Sequence, residues 1–209
     1  MKYEFEKRRR RSIRLPGYDY GFAGLYFVTV CIENRECLLG NIADGEMTLN
    51  EAGHMVFAAW EDLPAFYAGV DTDHFVVMPN HFHGIVDLTN RDSTPVAPPR
   101  AAGPSALGPA PLLSLPDVVH RFKSLTTARY RDGVVNDNWR PFPGRFWQRN
   151  YYEHVIRNED ELNRIRQYII DNPVQWAADR ENPVIASSIR GNNVPAAIDE
   201  PWREGPIKP

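Results

Sequence analysis

The sequence predicts an α+β fold, a ferredoxin-like split βαβ sandwich whose antiparallel sheet carries helices on one face, with an additional helix at the C-terminal end. Two observations carry this. Segments dense in β-branched and aromatic residues alternate with amphipathic ones in the order strand, helix, strand, strand, helix, strand, helix. The two middle strands are joined only by Pro79-Asn80, a connection too short for anything but an antiparallel pair.

The elements follow in chain order. Gly24 to Ile32 reads as a strand buried on both faces and central in its sheet. Leu38 to Leu49 forms a hairpin around Asp44-Gly45. Asn50 caps a first helix over Glu51–Phe66, with Met55, Val56, Ala59, Trp60 and Leu63 at helical spacing and Pro64 near its end. Phe75–Met78 and Phe82–Leu88 are the paired strands. Asp117–Tyr130 is a second helix with Val118, Val119, Phe122, Leu125 and Thr126 inward, and Phe146–Ile156 is a strand. A third helix starts after Asn158, has acids in its first turn, and is expected to stop at Asn172 because Pro173 follows.

The domain expected from this pattern is residues 15–176. A basic arm, 1–14, precedes it, a proline-rich flexible insertion, 91–116, interrupts it, and a partly disordered extension, 177–209, follows. No run is apolar enough to span a bilayer and no signal pattern opens the chain, so a cytoplasmic location is expected. Cys31 and Cys37 are too few for a disulfide framework. The net charge of −3 is unevenly spread: residues 1–14 carry seven Lys/Arg against two acids, and residues 117–166 carry ten against seven. A polyanion would therefore meet a locally basic surface on an acidic protein.

The chemistry centres on Val77-Met78-Pro79-Asn80-His81-Phe82-His83. Alternate strand residues share a face, so His81 and His83 present two imidazoles side by side while Phe82 packs behind them. On the third helix, Arg164, Tyr168 and Asn172 lie four residues apart beside the apolar stripe of Leu162, Ile165 and Ile169. There a tyrosine and an amide can face one site together. Two imidazoles and the Asn172 amide oxygen make three ligands for a cation; Mg²⁺ or Mn²⁺ suits them better than a thiolate-seeking ion, and zinc stays open. Such a centre favours attack of the Tyr168 phenol oxygen on a phosphodiester. Tyr151 and Tyr152 are rival nucleophiles, but as strand neighbours they point to opposite faces. Arg121, Lys123, Arg149 and Arg164 are candidates for contact with nucleic acid, and Arg8, Arg9, Arg10 and Arg11 could follow its backbone. Trp147, Phe146 and Tyr152 are candidates for stacking on unpaired bases, with Phe146 read in preference as a core aromatic.

Together with Arg121-Phe122-Lys123-Ser124, Phe146-Trp147-Gln148 and Tyr168-Ile169-Ile170-Asp171-Asn172-Pro173-Val174, the histidine stretch resembles the single-tyrosine HUH (IS200-like) transposases. Within them it looks most like the REP-associated tyrosine transposases. The likeness runs from about Arg11 to Trp176, broken by the insertion. It implies the ferredoxin-like fold and nicking and rejoining of single-stranded, hairpin-bearing DNA through a 5′-phosphotyrosine with Mg²⁺ or Mn²⁺. It also implies a nucleoid-associated homodimer that exchanges helices between subunits. By motif, Tyr168 would be the nucleophile and His81, His83 and Asn172 the metal ligands; many members of the family carry glutamine where this chain has Asn172. A hairpin-binding regulator of the same fold that does not cut, or a hydrolase using water at the histidines, are the other readings of these residues.

Overall fold

The computed structural model describes residues 20–89 and 112–184. The basic arm, most of the insertion and most of the C-terminal extension lie outside the described residues, and so do Arg8 to Arg11.

The elements are β1 (Gly24–Cys31), β2 (Gly40–Ala43), β3 (Glu46–Leu49), α1 (Glu51–Glu61), α2 (Leu63–Phe66), β4 (Val70–Val77), β5 (His81–Leu88), α3 (Leu115–Asn136), β6 (Tyr152–Ile156) and α4 (Glu159–Gln175). The main sheet has the order β4-β5-β1-β6, with every pair antiparallel. This is the expected α+β sandwich, and β1 is central as its apolar density predicts. The hairpin β2–β3 stands apart as a two-stranded ribbon. Asp44 and Gly45 have φ of 52° and 79°, the left-handed pair that a two-residue turn needs.

The sheet separates two cores. On one face Tyr26, Val28, Val30, Phe82 and Val86 pack against Val56 and Trp60 of α1 and Val118, Val119 and Phe122 of α3. On the other, Phe27, Ile85 and Ile156 pack against Leu162, Ile165 and Ile169 of α4. The period of two in β1 and β5 meets the period of 3.6 in the helices on both sides. The third helix is therefore the lone helical cover of the second face among the described residues.

β4 begins at Val70, earlier than the expected Phe75, and α3 runs on past Tyr130 to Asn136. Four further boundaries differ from expectation, each for a local reason. The first helix breaks at Asp62 into α1 and α2, because Pro64 has no N–H to continue the ladder. α3 starts at Leu115: Ser114 and Asp117 form a capping box around Pro116, which the composition assigns to the linker. α4 continues through Pro173 to Gln175, since a proline in a last turn forfeits one backbone bond and nothing further needs to propagate. The strand expected over 146–156 is two pieces, a bridge between Trp147 and Ile32 and then β6. Phe146 and Trp147 are drawn into the core, where Trp147 Nε1 donates to Thr126 Oγ1 at 2.8 Å. The chain leaves the sheet there and returns at Tyr152.

The second core is small, so its contribution rests on few side chains. Ile165→Ala should lower the stability of the chain by about 2–4 kcal/mol, as buried large-to-small changes do. Hydrogen exchange should rise in α4 before it rises in α1 or α3.

Candidate metal centre

His81 and His83 fall on the α4 face of β5, while Phe82 enters the opposite core. Both imidazoles are buried, with ring centroids 4.6 Å apart. Each is held through its Nδ1. His81 Nδ1 lies 2.9 Å from Asn80 Oδ1, and His83 Nδ1 lies 2.8 Å from Thr29 Oγ1. The orientation of the Asn80 amide is fixed independently, because its Nδ2 donates to Arg35 O at 3.0 Å and to Glu181 O at 2.7 Å. Its Oδ1 can then only accept, so His81 carries its proton on Nδ1 and turns an unprotonated Nε2 inward. Support of a ligating histidine through its second nitrogen is the usual way such a ring is oriented.

Burial pushes the His81 imidazolium down to about 4; Glu181 and the Asn172 amide oppose the shift and Arg35 adds to it. His83 is also lowered well below the ordinary range, first by burial and then by His81. Both rings are thus neutral at neutral pH and offer lone pairs.

The carboxylate of Asp179 completes a group. One ligand atom each from His81, His83 and Asp179 lie within 4.8 Å of one another, and His81 Nε2 is 3.6 Å from Asp179 Oδ2. Asp179 is buried, and burial raises its pKa, opposed by the backbone N–H of Glu181, which donates to Oδ1 at 2.7 Å. Sequence reasoning missed Asp179, three residues past the expected end of the domain. Its one local signal is the side-chain turn it makes with Glu181. What carries it to the histidines is tertiary: Asn80 binds Glu181 O, and Arg35 Nε meets Glu181 Oε2 at 2.9 Å.

Tyr168 and Asn172 lie where helical spacing predicts. The Tyr168 ring stands edge-on to His83 at 5.4 Å and to Phe27 at 6.1 Å. Asn172 is 1% exposed and its amide faces the His81 ring, yet neither atom of the amide, nor His81 Nε2, makes a hydrogen bond of good geometry among the described residues. Buried polar atoms left unpaired are costly. An ion would satisfy them, and the nitrogen and oxygen donors present fit a divalent cation of the Mg²⁺ or Mn²⁺ type.

The predicted nucleic-acid residues do not form one surface. Arg121 stacks over the Tyr67 ring at 5.1 Å, and Arg164 is exposed on α4, across the sheet from α3. Lys123 Nζ donates to Gln148 O at 2.6 Å and Arg149 O at 3.2 Å, which brings Lys123 and Arg149 together. Phe146 and Trp147 are buried core aromatics and cannot stack on bases. Tyr151 packs toward the first core and Tyr152 toward the second, the opposite faces that strand geometry requires.

The fold is that of a REP-associated tyrosine transposase. A solved structure of such a transposase bound to a REP hairpin superposes with a TM-score of 0.51 at 20% identity, covering 79% of this chain and 73% of that one. The chain belongs to one family with an uncharacterised protein of Haemophilus influenzae, to which it is 39% identical over 183 residues, 86% of this chain and 96% of the relative. No family model matches the chain. No helix among the described residues is long and apolar enough to cross a membrane.

Two outcomes are expected. Asn80→Ala should weaken Mn²⁺ binding by about 10–100-fold in calorimetry, the usual loss when a supporting partner of a ligating histidine is removed. In the metal-free protein, the melting temperature should fall as pH drops from about 6.5 toward 4. In that window the unfolded chain takes up histidine protons that the buried rings refuse, so stability rises with pH. The raised carboxyl of Asp179 acts in the opposite sense and blunts the fall.

Proposed function

We propose that the protein is a metal-dependent transposase that nicks and rejoins single-stranded, hairpin-bearing DNA through a 5′-phosphotyrosine. The observation that supports this most directly is the meeting of Tyr168, on α4, with two buried, neutral histidines on β5, the Tyr168 and His83 rings 5.4 Å apart. His81, His83 and a side-chain oxygen from Asn172 or Asp179 would hold Mg²⁺ or Mn²⁺. When bound, the ion supplies Lewis-acid polarisation of a non-bridging phosphate oxygen and neutralises charge at the leaving group.

The chain's own residues do the rest. Tyr168 Oη loses its proton and forms a bond to phosphorus, and the bond from phosphorus to the 3′ oxygen breaks. That oxygen leaves as a 3′-hydroxyl after taking up a proton. Free phenol titrates near about 10, so the Tyr168 hydroxyl is a poor nucleophile at neutral pH without a cation or base beside it. The phosphotyrosine keeps the energy of the phosphodiester, which allows rejoining without a nucleotide cofactor. Phe27 lies under His83 at 5.4 Å and, with Ile165 and Ile169, makes the dry floor on which the phenol is positioned.

A single chain brings these groups together, since α4 lies on its own sheet. The homodimer with exchanged helices that the family resemblance implies would instead bring the same groups together from two subunits. Mixing Tyr168→Phe with a His81→Ala/His83→Ala variant should restore no cleavage; restored cleavage would mean that α4 is exchanged between subunits.

Incubation of the protein with Mn²⁺ and labelled single-stranded hairpin DNA should give an adduct that survives denaturation. Tyr168→Phe should abolish the adduct and reduce cleavage by on the order of 10³-fold or more. Free cleaved product persisting in Tyr168→Phe would replace the phosphotyrosine route by hydrolysis. Hairpin binding with neither adduct nor cleavage would leave a non-cutting regulator.

A further inference from the structure

One large aromatic ring lies beside the histidines without belonging to either core. Trp176 ends α4 with helical backbone angles, φ −50° and ψ −38°, and packs into neither of the two apolar clusters. It is half-buried, and its one ring neighbour among the described residues is His81, at 6.0 Å and a tilt of 33°. The backbone beneath the ring is fixed, since Trp176 O accepts from Asp179 N at 3.1 Å and from Asn182 Nδ2 at 2.9 Å.

Steps of four residues put Tyr168, Asn172 and Trp176 on one ridge of α4. That ridge runs along the histidine pair, with Tyr168 at His83, 5.4 Å between rings, and Trp176 at His81, 6.0 Å between rings. Two such steps separate the aromatic side chains, roughly 12 Å of helix rise. Tyr168 is packed against the second core through Phe27, whereas Trp176 is spared for something else.

The chemistry gives the two ends of the ridge different duties. Displacement at phosphorus is in line, so the leaving oxygen departs on the side opposite the attacking one. Tyr168 attacks from the His83 end. As the bond from Oη to phosphorus forms, the bond to the 3′ oxygen breaks toward the His81 end, where Trp176 stands. The nucleotide that carries the new 3′-hydroxyl is left there, and rejoining requires a 3′-hydroxyl seated in the same place. An aromatic face holds an unpaired base whatever its identity, because every base has a π-face. Phe146 and Trp147 cannot serve, being buried in the first core, and Tyr152 packs against the second. We propose that Trp176 is the platform for the leaving nucleotide: the base on the 5′ side of the cut stacks on its indole, which seats the 3′-hydroxyl for departure and for return. The assignment of that base to the leaving strand rests on the phosphotyrosine reading above.

The test is binding by the full chain in Mg²⁺, followed by fluorescence anisotropy of short oligo-dT strands labelled at the 5′ end. One probe ends in an ordinary 3′-terminal nucleotide and the other in an abasic one, both with a free 3′-hydroxyl. Trp176→Ala should weaken binding of the first by about 10-fold and change the second by less than about 2-fold, and Trp176→Phe should restore the first. With 5-iodouracil as the 3′-terminal base, irradiation should cross-link the strand to Trp176, and moving the iodouracil to the 5′ end should remove that link. Equal loss on both probes, which a merely structural role would give, no rescue by Trp176→Phe, or no cross-link at Trp176 overturns the proposal. None of these readouts needs a bond to Tyr168. Failure to form a covalent adduct, with the cross-link and the base dependence intact, would therefore sink the phosphotyrosine reading and leave the stacking site standing, and an adduct without them would do the reverse.

Discussion

The candidate metal centre depends on one buried carboxamide. Asn80 is fully enclosed at the turn between β4 and β5, and its three side-chain hydrogen bonds join two segments distant in sequence, Arg35 after β1 and Glu181 after α4, to the adjacent His81 ring. Its backbone is pinned as well, since Ile32 N donates to Asn80 O at 2.8 Å and Met78 N to His81 O at 2.8 Å. Each buried partner left unpaired on its removal costs about 1–3 kcal/mol. One side chain thus sets the tautomer of His81, anchors the strand that bears it and holds the segment that delivers Asp179.

Around that point the sheet acts as a partition. The alternation of β5 places the imidazoles on the face covered by α4, and Phe82, Gly84 and Val86 on the face covered by α1 and α3. Gly84 is small for a reason of packing: a Cβ there would lie 2.7 Å from the Phe82 ring and 2.8 Å from Trp60. The larger core supplies stability through Trp60, Phe82 and Phe122, whose rings lie within 5.1 Å of one another. The smaller core can then give space to polar groups. Two neutral imidazoles and an unpaired amide are tolerable beside Phe27 and Ile165 because most of the fold's apolar packing lies on the other side of the strands.

What the sequence revealed follows the range of each interaction. His81 with His83, and Tyr168 with Asn172, were legible because the periods of strand and helix operate over a few residues. The order of elements was legible because each buried face writes its own spacing. Asp179 was not, because its place is decided by Asn80 and Arg35 acting from about a hundred and about a hundred and fifty residues away. The places of the arginines were illegible for the same reason. Arg121 finds Tyr67, whereas Arg145, unremarkable in its loop, is brought opposite Lys123 when Trp147 is pulled into the core. Pro116 and Pro173 show that a proline marks a helix end only once the cap or last turn around it is known.

The helix bearing Tyr168 is held at both ends, which bears on reversible strand transfer. Near its start, Glu161 accepts from Arg157 N at 2.7 Å and pairs with His154 Nε2 at 2.7 Å. One turn later, Arg166 grips Asp73 of β4 with two bonds, at 3.1 and 2.6 Å, and the Asp73 carboxyl is held well below the usual range, first by that contact. At its end, the tip of the β2–β3 hairpin at Gly45 lies against Val174, and the Arg35–Glu181 pair fixes the segment beyond. A nucleophile that only cuts can swing away afterwards. One that must return the phosphate to a new 3′-hydroxyl, as the proposed reaction requires, has to present the same phosphorus at the same place twice, and anchoring α4 to β4, β6 and the β2–β3 hairpin would keep the phenol at the histidines between the two steps.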